Sequence, residues 1–154
     1  AAPESPIARE FFAIAGRVGY GGEALTQAIA DAKAENCVRL LGYVADADVP
    51  ALYSGALGLL FATRYEGFGI PVVEAFGCGC PVIGGTEGSV PEIAAGAALL
   101  AAPQDPEAIA TQIERLLADD ALGKMLSAKG LARAKEFSWD KAARECMAIY
   151  GELL

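Results

Sequence analysis

Short apolar runs alternate with stretches of helical periodicity along most of the chain. Phe11–Ala15 (FFAIA) is an apolar run that stops at Gly16, as a buried strand does. The loop GRVGYGG follows. Ala24, Leu25, Ala28 and Ile29 share one face and predict a helix from Glu23 to about Glu35. Val38–Leu41 reads as the next strand, closed by Gly42. Asp46 or Asp48 can cap a short helix with Pro50 in its first turn and Leu52 facing inward. Leu57–Phe61 predicts a third strand, Pro71–Phe76 a helix ended by Gly77 and Gly79, and Pro81–Ile83 the start of a fourth strand. A short helix opens near Pro91, and Ala97–Leu100 is a fifth strand.

From Asp105 onward the pattern is helical. Asp105 caps, Pro106 takes the first helical position, and Ile109, Ile113, Leu116 and Leu117 form the apolar stripe. Leu122–Lys135 predicts a second helix. Ser138 caps a third, with Trp139 packing it against the domain and Ala142, Ala143, Cys146, Ile149 and Tyr150 inward. Strands alternating with helices imply parallel βαβ units. The fold class is therefore α/β: a doubly wound, Rossmann-like parallel sheet with C-terminal helices from residue 105. Ligands of such sheets bind beyond the carboxyl ends of the strands, here the glycine-rich loops at Gly16, Gly42, Gly67 and Gly84.

Composition narrows the function. The 154 residues fit one domain, with residues 1–10 read as a linker or chain edge. A net charge of −8 leaves no basic patch and argues against a nucleic-acid partner. An anion must then be held locally, by backbone N–H groups at a helix N-terminus. The chain has no histidine, the commonest general base. Cys78 and Cys80 form a C-x-C pair, but neither a second pair nor a histidine completes a metal set, so no metal is expected. Cys37, Cys78, Cys80 and Cys146 read as buried free thiols of a reducing cytosol. No run approaches a membrane span, and AAPESP is not a signal peptide.

Glu66-Gly67-Phe68-Gly69-Ile70-Pro71 joins a strand to a helix. Its glycines allow close backbone approach to a ligand, and Pro71 in the first turn leaves neighbouring N–H groups pointing outward. With the helix dipole this makes an anion site suited to a pyrophosphate. Glu74 lies one turn in, a polar residue among Val72, Val73, Ala75 and Phe76. A partly buried carboxylate there needs partners, and the vicinal diol of a ribose offers two donors. Glu66 can accept from sugar hydroxyls. On spacing alone, a helix-dipole role for Glu74 and a surface role for Glu66 fit as well. The second loop, Gly84–Glu92, can bring backbone to sugar or phosphate, or be an ordinary turn. Tyr43 and Val44 end a strand; they can meet a base edge, or Tyr43 can simply cover the core.

At these residues the chain resembles the C-terminal, nucleotide-binding domain of retaining glycosyltransferases of the GT-B fold, in the large family 4 group. The matching run covers LGYV, ALYSGA, FATRYEGFGIPVVEAFGCGCPVI, GGTEGSVPEI, DPEAIA and FSWDKAA, in order. The resemblance implies that Glu66 and Glu74 are the two glutamates of an E-x7-E motif. Glu74 would hold the donor ribose and Glu66, as the catalytic candidate, would sit near the transferred sugar. Gly67, Phe68, Gly69 and Ile70 would lie beside the donor's sugar and phosphates, and Tyr43 and Val44 would contact the base. The substrate implied is a nucleotide-diphosphate sugar, with no cofactor and no metal.

The departures shape the expectation for this chain. GT-B enzymes bind their acceptor mainly on an N-terminal domain, and their C-terminal domain opens with an Arg/Lys-bearing loop that grips the pyrophosphate. Neither is found before Phe11, so the chain is expected to be a partial domain without transferase activity of its own, prone to self-association through an open sheet edge. The parent enzyme is expected in the cytoplasm, or peripheral to the membrane. The rival from another class is a non-catalytic nucleotide-binding or interaction module reusing the half-fold.

Overall fold

The computed structural model describes residues 11–17, 19 and 21–152; the stretch 1–10 read as a linker lies outside them. Five strands and seven helices alternate among the described residues: β1(Phe12–Ala15), α1(Gly22–Asp31), β2(Val38–Gly42), α2(Val49–Gly55), β3(Leu59–Phe61), α3(Ile70–Gly77), β4(Val82–Gly85), α4(Val90–Ala94), β5(Leu99–Ala101), α5(Pro106–Ala118), α6(Asp120–Ala134) and α7(Trp139–Glu152). They fall into two compact units, Ala1–Val49 and Pro50–Leu154.

In the first unit β1 pairs with β2 in parallel, Phe12 opposite Val38 and Ile14 opposite Leu40, with α1 as the crossover. The helix ends at Asp31, four residues before the predicted end. Lys33 turns left-handed at φ 52, and the Ala34 N–H closes back on the Ile29 carbonyl at 3.0 Å, which a continuing helix could not allow. No described residue of this unit is buried.

In the second unit β3, β4 and β5 pair in that order, all parallel. Successive residues of β4 point to opposite faces. Val82 joins Val72, Ala75, Phe76, Val90 and Ile93 from α3 and α4, while Ile83 joins Leu116 of α5 and Leu126 of α6. β4 is thus covered on both faces, as doubly wound parallel strands are. α6 also packs on α3 at Gly130, where an added Cβ would stand 2.7 Å from the Phe76 ring.

Several expected orientations differ. Leu52 is exposed; Tyr53, one residue on, packs against the core instead. Leu57 precedes β3 and is exposed. Ser138 does cap α7, its hydroxyl accepting from the Lys141 N–H at 3.1 Å. Yet α7 buries no residue: Ala142, Ala143, Cys146, Ile149 and Tyr150 are exposed, and Trp139 is 85% exposed rather than packed. Its apolar stripe has no neighbouring surface among the described residues to bury against. Of the four thiols only Cys80 is buried; Cys78 is half-buried, and Cys37 and Cys146 are exposed.

Candidate functional site

β3 and β4 are adjacent and parallel, with Phe61 opposite Gly84, so the loops that follow them leave the same edge of the sheet. The first loop carries Glu66–Gly69 into α3, and the second carries Thr86–Ser89 into α4. Gly84 and Gly85, expected in the second loop, are the last residues of β4.

The two loops are joined by backbone. The Ser89 N–H and hydroxyl both donate to the Glu66 carbonyl oxygen, at 3.4 and 3.0 Å. Gly88 is left-handed at φ +65, and a Cβ there would lie 3.1 Å from the Glu66 nitrogen. Only glycine meets both demands without strain.

Gly69 enters α3 at φ 94, ψ 49, and no side chain caps the helix. Pro71 sits in the first turn, which contains no acidic residue. Pro71 has no N–H and the Val72 N–H turns back to the Gly69 carbonyl at 2.9 Å, which leaves the Ile70 N–H and the helix dipole to face a ligand. Phe68, 45% exposed, meets Phe137 edge-on at 5.6 Å between ring centroids. Phe137 in turn lies under the Arg133 guanidinium, which ion-pairs with Glu136 and donates to the carbonyls of Ile93 at 2.9 Å and Glu92 at 3.1 Å. The end of α6 thus braces both α4 and the ring at the tip of the first loop.

Glu74 is exposed, not partly buried as its apolar neighbours suggested, because it stands on the outer side of α3. Its partner is Tyr53 of α2, whose phenol donates to Oε2 across 3.5 Å. Burial first, then the Glu74 charge and this hydrogen bond, push the Tyr53 pKa up to about 12, so it remains a donor through the neutral range. Burial likewise pushes the Cys80 thiol up to about 11, which keeps it protonated and inert.

Glu66, Gly67, Phe68, Gly69, Ile70 and Glu74 are therefore gathered on one loop and the helix it opens. Tyr43 and Val44 belong to the first unit, at the carboxyl end of β2. Tyr43 does not cover a core: it is 63% exposed, with the Arg17 guanidinium 5.3 Å from its ring centre. Sequence reasoning missed Tyr53 and Ser89. The ALYSGA run contains the tyrosine, but no local spacing announces a bond spanning 21 or 23 residues.

Comparison with known proteins bears on the family and the fold. The family model described as glycosyl transferases group 1 matches residues 6–119. O-antigen chain mannosyltransferase B of Escherichia coli is 38% identical over 137 residues, covering 89% of this chain and 36% of that protein. D-inositol 3-phosphate glycosyltransferase of Salinispora tropica is 34% identical over 119 residues, covering 75% of this chain and 24% of that protein. Among solved structures, sucrose-phosphate synthase of Thermosynechococcus elongatus superposes with a TM-score of 0.83 at 26% identity, covering 92% of this chain and 38% of the other. Anabaena HepE, in complex with UDP and glucose, gives 0.82 at 23% identity over 94% of this chain and 41% of its own. The chain thus spans between about a quarter and two fifths of the length of these proteins.

Proposed function

The chain belongs to the group 1 glycosyl transferases and has the fold of their GT-B C-terminal domain, and on that premise we propose that it is the donor side of a retaining hexosyltransferase that uses a nucleotide-diphosphate sugar. The observation that carries this reading is the amino end of α3: a helix start with no side-chain cap and no acid in its first turn, the Ile70 N–H left without a partner among the described residues, and an exposed carboxylate, Glu74, one turn further. That pairing suits a pyrophosphate and a ribose together. Anabaena HepE, whose fold is similar, is in complex with UDP, which supports the same ligand class.

In this reading Glu74 accepts hydrogen bonds from the ribose hydroxyls, and Gly67, Phe68, Gly69 and Ile70 flank the phosphates and the sugar. Glu66 faces the transferred hexose, and Tyr43 and Val44 meet the base. The developing charge on the leaving diphosphate is stabilised by the Ile70 N–H and the dipole at the amino end of α3 and needs no metal. The 154 residues are proposed to bind donor without transferring sugar, because they correspond to about a third of the relatives. Robust turnover by this chain alone, in an assay with several donors, would defeat that part. A cytoplasmic site for the reaction is proposed with it; among the described residues no helix is long and apolar enough to cross a membrane. Self-association is proposed through Phe12, Ile14, Leu40 and Leu41, apolar strand residues that are all exposed; a monodisperse monomer in light scattering contradicts it.

The deciding experiment is calorimetric titration with UDP and GDP. Glu74→Ala should weaken binding about tenfold to a hundredfold, the loss of one or two hydrogen bonds to a charged acceptor. No binding by the unchanged chain would favour a structural or interaction module instead.

A further inference from the structure

Ser89 is the N-cap residue of α4, and its hydroxyl does not cap that helix. An N-cap serine ordinarily turns its oxygen to the N–H groups of the first turn, a contact worth about 1 kcal/mol. Here the hydroxyl reaches across to the Glu66 carbonyl at 3.0 Å, and the Ser89 N–H points to the same oxygen. The preceding Gly88 is left-handed and lets the two backbones close until an added Cβ would crowd the Glu66 backbone at 3.1 Å. Two donors from one residue, a forgone cap and a glycine-only approach all converge on one peptide, that of Glu66.

We infer that Ser89 is a positioning residue for Glu66: it fixes the backbone from which the Glu66 carboxylate is presented to the transferred sugar. The inference rests on the donor-site reading above and deepens it. Fixing one peptide matters because a carboxylate that must meet particular hydroxyls loses its advantage when its Cα drifts by about an ångström. The second glycine-rich loop then acts on sugar recognition through the first loop's backbone, with no need to touch the sugar itself.

The test compares, for the 154-residue chain, the affinity for UDP-glucose and GDP-mannose with that for UDP and GDP. The ratio reports the sugar's own contribution. Glu66→Gln should abolish the advantage of the better sugar nucleotide. Ser89→Ala should reduce it about fivefold, the loss of one neutral hydrogen bond, while free UDP and GDP bind within about twofold of the unchanged chain. Ser89→Thr, which restores the hydroxyl, should recover the ratio. If Ser89→Ala weakens nucleotide and sugar nucleotide equally, or leaves the ratio intact while Glu66→Gln abolishes it, the inference falls and the donor site stands. If the unchanged chain binds sugar nucleotides no better than free nucleotides, the reading of Glu66 falls and the inference with it.

Discussion

The two units obey the same local rules and reach opposite outcomes. Each has a strand, a glycine-rich turn, a helix and a parallel strand. In the second, β4 is buried along its whole length; in the first, Phe12, Ile14, Leu40 and Leu41 stay exposed although their strands are as apolar. A parallel strand is fully buried only when helices cover both faces. α3 and α4 cover one face of β4, and α5 and α6 the other, whereas among its described residues the first unit has α1 alone to lay against its strands. The donor-loop candidates Glu66–Glu74 sit on the cored unit, and the base-contact candidates Tyr43 and Val44 on the thin one. The residues proposed for the phosphate and ribose are therefore the ones held on a packed core.

The strongest way to break this contrast is to cut the cored side. Phe76 is fully buried between α3 and α6. Phe76→Ala should cost about 3–5 kcal/mol in urea unfolding, by lost transfer energy and by the cavity left. Ile14→Ala, at a position 38% exposed, should cost about 1 kcal/mol or less. Equal costs for the two would mean that the units share one level of packing.

Thiol chemistry sharpens the same contrast. Cys37 follows α1 and is exposed, whereas Cys80 is buried, with its thiol pushed up to about 11. At pH 8 Cys37 should react with a chromogenic disulfide promptly, and Cys80 at least about a hundredfold more slowly, because its thiolate forms only when the core opens. Comparable rates at the two sites would show that the second unit opens as readily as the first.

What could be read from the chain divides along physical lines. Glycine and proline punctuation located α3, with Gly69 before it and Gly77 at its end, and the Asp105–Pro106 pair located the start of α5; the Asp105 carboxylate does accept from the Ala108 N–H at 2.9 Å. These are signals within one turn. Burial was less legible. The stripe on α7 has helical spacing, but spacing does not say whether a surface waits to receive it, and Trp139 remains exposed. Leu52 and Tyr53 differ by 100° around α2, within the error of a helix start inferred from a cap. The Ser89–Glu66 and Tyr53–Glu74 bonds were not legible at all, since they arise only once β3, β4 and their crossovers are in place.

The smallest expected effect concerns Tyr53, which ties α2 to Glu74. Its hydrogen bond to Glu74 is long at 3.5 Å, so Tyr53→Phe should change stability at pH 8 by no more than about 1 kcal/mol. The pH dependence is more telling. The folded pKa is about 12 against 10 for an unperturbed tyrosine, so below pH 10 both states keep the proton and the group's contribution is complete. Between pH 10 and 12 the unfolded chain releases the proton while the folded chain holds it, and stability falls as pH rises. Phenylalanine has no proton to release, so the variant should lose stability less steeply over that range. Cys80, raised to about 11 from 9 by burial, adds a similar decline from pH 9 to 11 in both proteins. The difference between the two curves, from urea unfolding at stepped pH, therefore isolates Tyr53. Curves that stay parallel from pH 8 to 12 would mean that the phenol is neither buried nor held against Glu74, and among the described residues the carboxylate would then have no side-chain donor to orient it.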